Sequence, residues 1–418
     1  MAVVLEKFSM GVGDRFGHQG RAQLSAMISA ADEGINVVPV WNKSHREHTT
    51  IGSGPGDVRK EADNAVSSLN WKNGYYVDAD HIGLGNVELF IDSSDFFTLD
   101  VADFTGKKAD GREIQGFVEK YSYLAGKLDI PGLSSELECN REKIAEIAEK
   151  YLLAVREAGK IYRKIESVKG KGSFVTEVSM DETDEPQTPL EMLFILAAVA
   201  DEGIPAQTIA PKFSGRFNKG VDYVGDSAKF AEEFSDDVAV IAFAVKEFSL
   251  PENLKLSVHS GSDKFSIYPC IKETLQKTGA GLHLKTAGTT WLEEVIGLAE
   301  AGGEALALAC DIYEKALAKF DELCAPYATV IDIRKENLPA PETVRTWSGN
   351  EFTAALRHNL NCPDFNSDFR QLLHVGYKVA ALMGTRYTDM LKEHSDIIAG
   401  NVSYNILERH IKAIFPAG

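Results

Sequence analysis

The feature that most constrains this chain is an alternation repeated eight times along it. Short β-rich or apolar runs end in polar, glycine-containing loops, and an amphipathic helical pattern usually follows. Strands are expected near Leu5–Met10, Asn36–Val40, Tyr75–Asp78, Phe96–Val101, Phe174–Val178, Ala206–Ile209, Lys255–Val258 and Gly281–Leu284. Helices are expected over Arg21–Ala31, Asp57–Leu69, Thr188–Glu202, Ser227–Val245, Tyr268–Thr278 and Thr290–Ala301. Strand–helix alternation makes parallel strands with helical crossovers. Eight such units favour closure into a (β/α)8 TIM-type barrel over the runner-up, a doubly wound open sheet. Two stretches break the rhythm. Residues 112–169 read as a charged helical insertion after the fourth strand. Beyond the apolar run Thr329–Ile333, Pro339 and Pro341 punctuate, and Glu351–Ile414 read as helical. The expected plan is a barrel over residues 1–335 and a helical extension over 336–418 packed on it.

Composition narrows the class. With 418 residues, 44% hydrophobic and 25% charged, the chain can bury a large core. No apolar run reaches the roughly 18 residues that a membrane span needs, and Met1–Met10 lack the order of a secretory signal. The five cysteines (Cys139, Cys270, Cys310, Cys324, Cys362) form no CxxC pair. That argues for a reducing compartment, hence a cytoplasmic protein, and against a disulfide framework or thiolate zinc site. The formal charge of −18 disfavours nucleic acid and anionic membranes as partners. A small anion remains compatible with it where Lys and Arg cluster locally.

In a barrel of this type the chemistry gathers at the carboxyl ends of the strands. There this sequence is consistently polar. The first strand runs into Gly11–Gly20 with Asp14, Arg15 and His18; the second into Trp41–His48 with Lys43 and Arg46; the third into Asp78, Asp80 and His81. Asp100 and Asp103 follow the fourth; Glu177, Ser179, Asp181 and Glu182 the fifth; Lys212, Arg216 and Lys219 the sixth; His259 and Lys264 the seventh; His283, Lys285 and Thr286 the eighth. Glu177 and His283 fall inside strands, where packing alone would place apolar groups.

His259 and His283 end consecutive strands, and neighbouring strands lie about 4.8 Å apart, so their imidazoles can converge on one ion. Glu177 can reach the same point across the barrel mouth, with Asp80, Asp100 and Asp181 as alternative oxygen ligands. Two histidines and a carboxylate suit Zn, Mn, Co or Ni and leave positions open for substrate. A bound NAD is not expected. The segment Gly11-Val-Gly-Asp-Arg-Phe-Gly brings its third glycine one residue late, and no acidic residue ends the next strand. Gly52-Ser-Gly-Pro-Gly lacks a following Lys-Ser or Lys-Thr and reads as a loop with weak anion-binding potential. The cations Lys43, Arg46, Lys212, Arg216, Lys219, Lys264 and Lys285 share the active face and point to a carboxylate or phosphate on the substrate. Lys219 and Lys264 are expected as solvated surface lysines, Lys285 is not. In the C-terminal helices, Arg370, Gln371, His374 and Lys378 share one face, read equally as a solvated face or as a lid or subunit contact, which leaves a homo-oligomer open.

Phe8-Ser-Met-Gly-Val-Gly-Asp-Arg-Phe-Gly-His-Gln-Gly20 resembles the opening of the tagaturonate epimerase family. Ser257-Val-His-Ser-Gly-Ser-Asp-Lys264, Leu282-His-Leu-Lys-Thr-Ala-Gly288 and Phe369-Arg-Gln-Leu-Leu-His-Val-Gly-Tyr-Lys378 are similar to it as well, so the resemblance runs the length of the chain. It implies a divalent-metal-dependent barrel epimerase acting on a small keto-hexuronate, with metal ligands mapping onto Glu177, His259 and His283. Tagaturonate and fructuronate differ at a carbon β to the ketone, whose hydrogen no carbonyl acidifies, so retro-aldol cleavage and re-addition is the expected route. On that reading Asp14, His18 and Lys285 are the catalytic candidates, and Arg15, Lys43, Lys212 and Arg216 the substrate-binding ones. Alternatives are a metal-dependent aldolase or ketose isomerase on a related sugar, and a non-catalytic carbohydrate-binding barrel.

Overall fold

The structure, a computed structural model, describes residues 2–286 and 289–418. Ala287 and Gly288, the end of one motif above, lie outside these. Ten strands occur in chain order: β1 (Phe8–Gly13), β2 (Val38–Ser44), β3 (Tyr76–Ile82), β4 (Phe96–Asp100), β5 (Gly126–Leu128), β6 (Leu137–Cys139), β7 (Val175–Ser179), β8 (Thr208–Ala210), β9 (Lys255–His259) and β10 (Leu282–Lys285). Eight of them close a barrel in the order β1-β2-β3-β4-β7-β8-β9-β10, all neighbours parallel. The expected TIM-type barrel is what forms.

The period of two sorts each strand. Met10, Trp41, Val77, Phe97, Val178, Leu256 and Leu284 belong to the main core between strands and helices. Their alternates turn into the barrel. A small separate apolar cluster of Leu5, Val38, Val40, Tyr76, Phe96 and Val175 plugs the amino-terminal end. Towards the carboxyl ends the inward positions become Ser9, Asp78, Thr98, Glu177, Ser257, His283 and Lys285, all buried. A barrel that spends its upper layers on charged groups forgoes hydrophobic stabilisation there, which is the mark of a site.

The insertion is not wholly helical. Helix Gly111–Tyr121 leads to the antiparallel hairpin β5–β6 and then to a 29-residue helix, Arg141–Lys169. After β10 the described chain is helical in many short pieces through Lys412–Ile414. These pieces pack on the barrel: Phe415 lies 5.3 Å from Phe8 between ring centroids, and Gly418 N donates to Gly34 O at 3.1 Å. No helix among the described residues is long and apolar enough to cross a membrane. The five cysteines are all free thiols.

Candidate active site

Lys285 organises the barrel mouth. Its Nζ donates to Asp78 Oδ2 at 2.8 Å, Asp80 Oδ1 at 2.9 Å and Thr98 Oγ1 at 2.7 Å, which uses all three ammonium hydrogens. Glu177 Oε1 stands 3.3 Å away. Burial alone would drive this lysine neutral, but Asp78, Asp80 and Glu177 hold it well above the ordinary lysine range. Burial pushes Asp78 up to about 6 against the pull of Lys285. For Asp80, burial is outweighed by Lys285 and His81, and the carboxyl stays below its usual range.

Glu177 passes this charge to His259, whose Nε2 is 2.8 Å from Glu177 Oε1 and whose Nδ1 is 3.0 Å from Asp181 Oδ2. Asp181 Oδ1 in turn faces His81 Nε2 at 3.3 Å, and His81 Nδ1 is 2.7 Å from Asp80 Oδ1. The two imidazoles meet edge to face, with centroids 5.2 Å apart. The ring Lys285–Glu177–His259–Asp181–His81–Asp80 is therefore closed. His81 reaches it through an irregular backbone. The β3–β4 register shifts between Ala79 and Ile82, and His81 sits at φ 52°, a left-handed conformation that a side chain rarely adopts. Bulges and strain of this kind re-aim side chains next to sites.

One potential ligand atom from each of His81, Asp181 and His259 lies within 4.8 Å of the others, a group able to hold a metal ion. The donors fit a divalent metal: two imidazoles and a carboxylate, as in open transition-metal sites. Buried polar atoms beside them lack partners, namely His259 Nδ1, which lies near Asp181 without hydrogen-bond geometry, and Glu177 Oε2. Against burial, Asp181 and Glu177 push His259 up to about 9, so the surrounding charge favours a positive centre here.

Asp80 and His81 also line a cavity of about 340 Å³ above the barrel mouth, near the lower end of the usual range for small-molecule sites, roughly 300–1,000 Å³. Its other walls include the cations Arg15, Arg46 and Lys219, the carboxylates Glu47 and Glu182, and His374 and Tyr377. A larger cavity, about 1020 Å³, opens at the opposite end of the barrel around Leu5, Lys7, Val245 and Leu254, where no comparable charged cluster converges.

The residues singled out from sequence are distributed unevenly over this geometry. Glu177, His259 and Lys285 come together. His283 faces the same interior two residues below Lys285, with Nδ1 2.9 Å from Ser9 Oγ, Nε2 unpartnered, and burial lowering it to about 3. Of the alternative oxygens, Asp181 and Asp80 join the ring, while Asp100 accepts from Ala102 N at 3.1 Å. Asp14 spends its carboxylate on the backbone amides of Phe16 (3.0 Å), Gly17 (2.8 Å) and Gln19, and so shapes the loop after β1. His18 is exposed and outside the cavity lining. Arg15 lines the cavity, and Lys43 Nζ supports it by donating to Arg15 O at 3.0 Å. Lys212 lies off the lining, and Arg216 is exposed and paired with Asp332 at 3.1 Å. Two expectations need correction. Lys219 lines the cavity, and Lys264 is fully buried, bonded to Val221 O (2.9 Å) and Ser262 Oγ (2.9 Å). The C-terminal helices cover both loops. Sequence reading also assigned no site role to His81 or Tyr377.

A closed parallel barrel with acid, imidazole and ammonium groups gathered at its carboxyl end, under a cavity lined by charged groups of both signs, defines a barrel enzyme of small polar substrates. Residues 1–413 match the tagaturonate epimerase family, so the chain belongs to that family and is an isomerase. It is 28% identical over 420 residues to the tagaturonate/fructuronate epimerase of Thermotoga maritima, covering 97% of this chain and 79% of that protein. The glycerol-complexed fructuronate-tagaturonate epimerase of Cohnella laeviribosi superposes with a TM-score of 0.81 at 23% identity, covering 99% of this chain and 82% of that one. The native crystal structure of the same Cohnella enzyme gives a TM-score of 0.76 at 22% identity, with the same shares covered.

Proposed function

We propose that this protein interconverts D-tagaturonate and D-fructuronate by metal-assisted retro-aldol and aldol chemistry. The observation that carries the proposal is the closed ring of Lys285, Glu177, His259, Asp181, His81 and Asp80 bordering a cavity whose far wall carries Arg15, Lys219 and His374. The carbon to be inverted is β to the ketone, so no carbonyl makes its C–H acidic. Its hydroxyl proton is removed instead. The bond between the α and β carbons breaks, its electron pair passes to the ketone oxygen as an enediolate, and the β carbon becomes an aldehyde. Rotation of that aldehyde and re-addition to its other face restores the bond with inverted configuration, and the proton returns. Nothing is oxidised or reduced overall, so no nicotinamide is required.

His81, Asp181 and His259 would hold the metal, with Glu177 orienting His259 through its Nε2. A bound divalent ion supplies Lewis acidity towards the substrate oxygens. Lys285, held protonated by its three carboxylates, fixes Asp78, Asp80 and Glu177 and offsets part of their negative charge. The hydroxyl proton would pass to a carboxylate lining the cavity, Asp80 or Glu182; Asp80 has one oxygen committed to Lys285 and His81, which hold it below its usual range.

The test is NMR of the purified protein with tagaturonate after chelation, then after adding back Mn²⁺, Zn²⁺, Co²⁺ or Ni²⁺ singly. Fructuronate forming only with metal is the expected result. No turnover with any ion would sink the proposal, and released three-carbon fragments would make the enzyme an aldolase.

A further inference from the structure

The cavity wall opposite the ring is built from groups to which the proposed chemistry gives no role. His374 is 2% exposed, lines the cavity, and has an Nε2 with no partner. Arg15 is 8% exposed and also lines it. Its Nε is held by Glu47 Oε1 at 3.1 Å and its guanidinium lies over the Tyr377 ring at 4.3 Å, which leaves Nη1 buried and unpartnered. Lys219 lines the same wall, with its Nζ above Gly261, about 3.6 Å from where a β carbon would stand. Gly261 has φ 65°, and the absence of a side chain keeps that space open.

These groups are prepared for an anion. Burial first, and then the positive charges of Arg15, Lys219, Arg370 and Lys264, hold His374 well below the ordinary histidine range. Its ring is therefore neutral, and in the tautomer with the hydrogen on Nε2 it offers an N–H without adding to the charge. Asp263 takes up Arg370 and Glu47 takes up Arg15 Nε, which leaves Arg15 Nη1 and His374 Nε2 unpartnered on residues that line one cavity with Lys219, Glu182 being the lining carboxylate other than Glu47 and Asp80. In a chain of net charge −18, a wall that brings Arg15, His374 and Lys219 together is a local concentration of donors. Orphaned buried donors are costly unless a ligand completes them.

We infer that His374, Arg15 and Lys219 form the subsite for the substrate's carboxylate, so that a helix beyond the barrel supplies the preference for sugar acids over neutral sugars. The inference rests on the epimerase reading above for the identity of the acid, but not for the existence of the subsite. Arg370 is the positioning residue behind it. One turn before His374 on helix Ser367–Val375, Arg370 is clamped to Asp263 at 2.9 Å and to Gly220 O, next to Lys219.

The experiment uses His374→Ala and Lys219→Met in the full chain, with D-tagaturonate and the neutral ketose D-tagatose as substrates. Loss of one hydrogen bond to a charged group predicts a fall of roughly tenfold or more in the kcat/KM ratio of acid to neutral sugar, mostly through KM for the acid. An unchanged ratio in both variants overturns the inference, because a purely structural role slows both substrates alike. Lys219→Met, a half-buried position, keeps the test valid if His374→Ala does not fold. Calorimetric titration with D-galactonate against galactitol needs no turnover. Galactonate binding that is weakened in both variants upholds the subsite even if tagaturonate is not a substrate, and binding equal to wild type refutes it whatever the turnover.

Discussion

Arg370→Met is the most informative single perturbation of the covering helices. The native guanidinium is fully buried, donating to Asp263 Oδ2 and to Leu356 O at 2.9 Å each, and to Gly220 O. Methionine matches much of its volume but leaves Asp263, among the described residues, with Thr289 Oγ1 at 3.2 Å, His358 Nδ1 at 3.1 Å and His410 Nε2 at 3.4 Å. Burial lowers both histidines, so they supply less of this charge than the always-protonated guanidinium. Breaking a buried pair from one side costs about 3–5 kcal/mol, against a total stability of about 5–15 kcal/mol for folded domains. The loss depends on pH. In the wild type, burial would raise Asp263, but Arg370 and the histidines outweigh it and hold the carboxyl well below its usual range. A depressed folded value adds stability that is present above the unfolded value of about 3.9 and lost as pH falls through the depressed one. Without Arg370, burial dominates and the carboxyl rises. The variant's native state then binds a proton that its unfolded state has released, so its stability falls as pH rises above about 4. The difference between the proteins should therefore be large already near about pH 4, widen as pH rises through the variant's raised carboxyl value, and shrink only as pH falls through the depressed wild-type one. Urea unfolding followed by tryptophan fluorescence measures it, since Trp291 Nε1 donates to Leu373 O at 2.8 Å on the same helix. A loss under about 1 kcal/mol at the higher pH, or a loss that ignores pH, would refute the clamp.

Three further outcomes follow from the geometry. Borohydride added with tagaturonate should leave no adduct on Lys285, since its carboxylates keep it protonated; a trapped peptide found by mass spectrometry would contradict this. Gly11→Ala should cost about 1–3 kcal/mol and most of the activity. Its β carbon would stand 2.8 Å from Asn42 Nδ2 and 3.1 Å from the Lys285 backbone, and a melting point and turnover equal to wild type would argue against so tight a contact. Lys255, lowered by burial to about 8 at the barrel's amino-terminal end, should make the protein more stable as pH rises from about 8 towards the unfolded lysine value of about 10.4. Lys255→Met should flatten that slope in pH-dependent unfolding, and an unchanged slope would place its origin elsewhere.

Most of the barrel was legible because each strand obeys period two against an apolar helix layer, as Met10, Val77 and Leu284 show. Strand ends were read too early. Gly11–Gly13 and Trp41–Ser44 look like loop, but continue the ladder because barrel-mouth positions carry function instead of hydrophobicity. The hairpin β5–β6 escaped notice because strands of three residues carry no periodicity. At the site, the polarity of Glu177, His259 and Lys285 was visible, but depth was not. His283 shares the inward face of Lys285, yet two residues of strand separate them by about 6.6 Å. His81 was hidden for the opposite reason. Counting by two from Asp78 and Asp80 sends it outward, and only the bulge in β3 turns it in. The burial of Lys264 and the reach of His374 depend on tertiary contacts that no local pattern contains.

Closure of the barrel has a temporal side. Ser9 and His283 bond across the β1–β10 seam at 2.9 Å although 274 residues separate them in the chain. A ribosome adding about 5–20 residues per second needs tens of seconds between making the first strand and making its final neighbour. During that interval β1 presents an unpaired edge, a template for pairing with other chains. Production of this enzyme should therefore depend on growth temperature and on chaperones that shield the nascent edge, while the finished molecule, having no edge in its barrel, resists the same association.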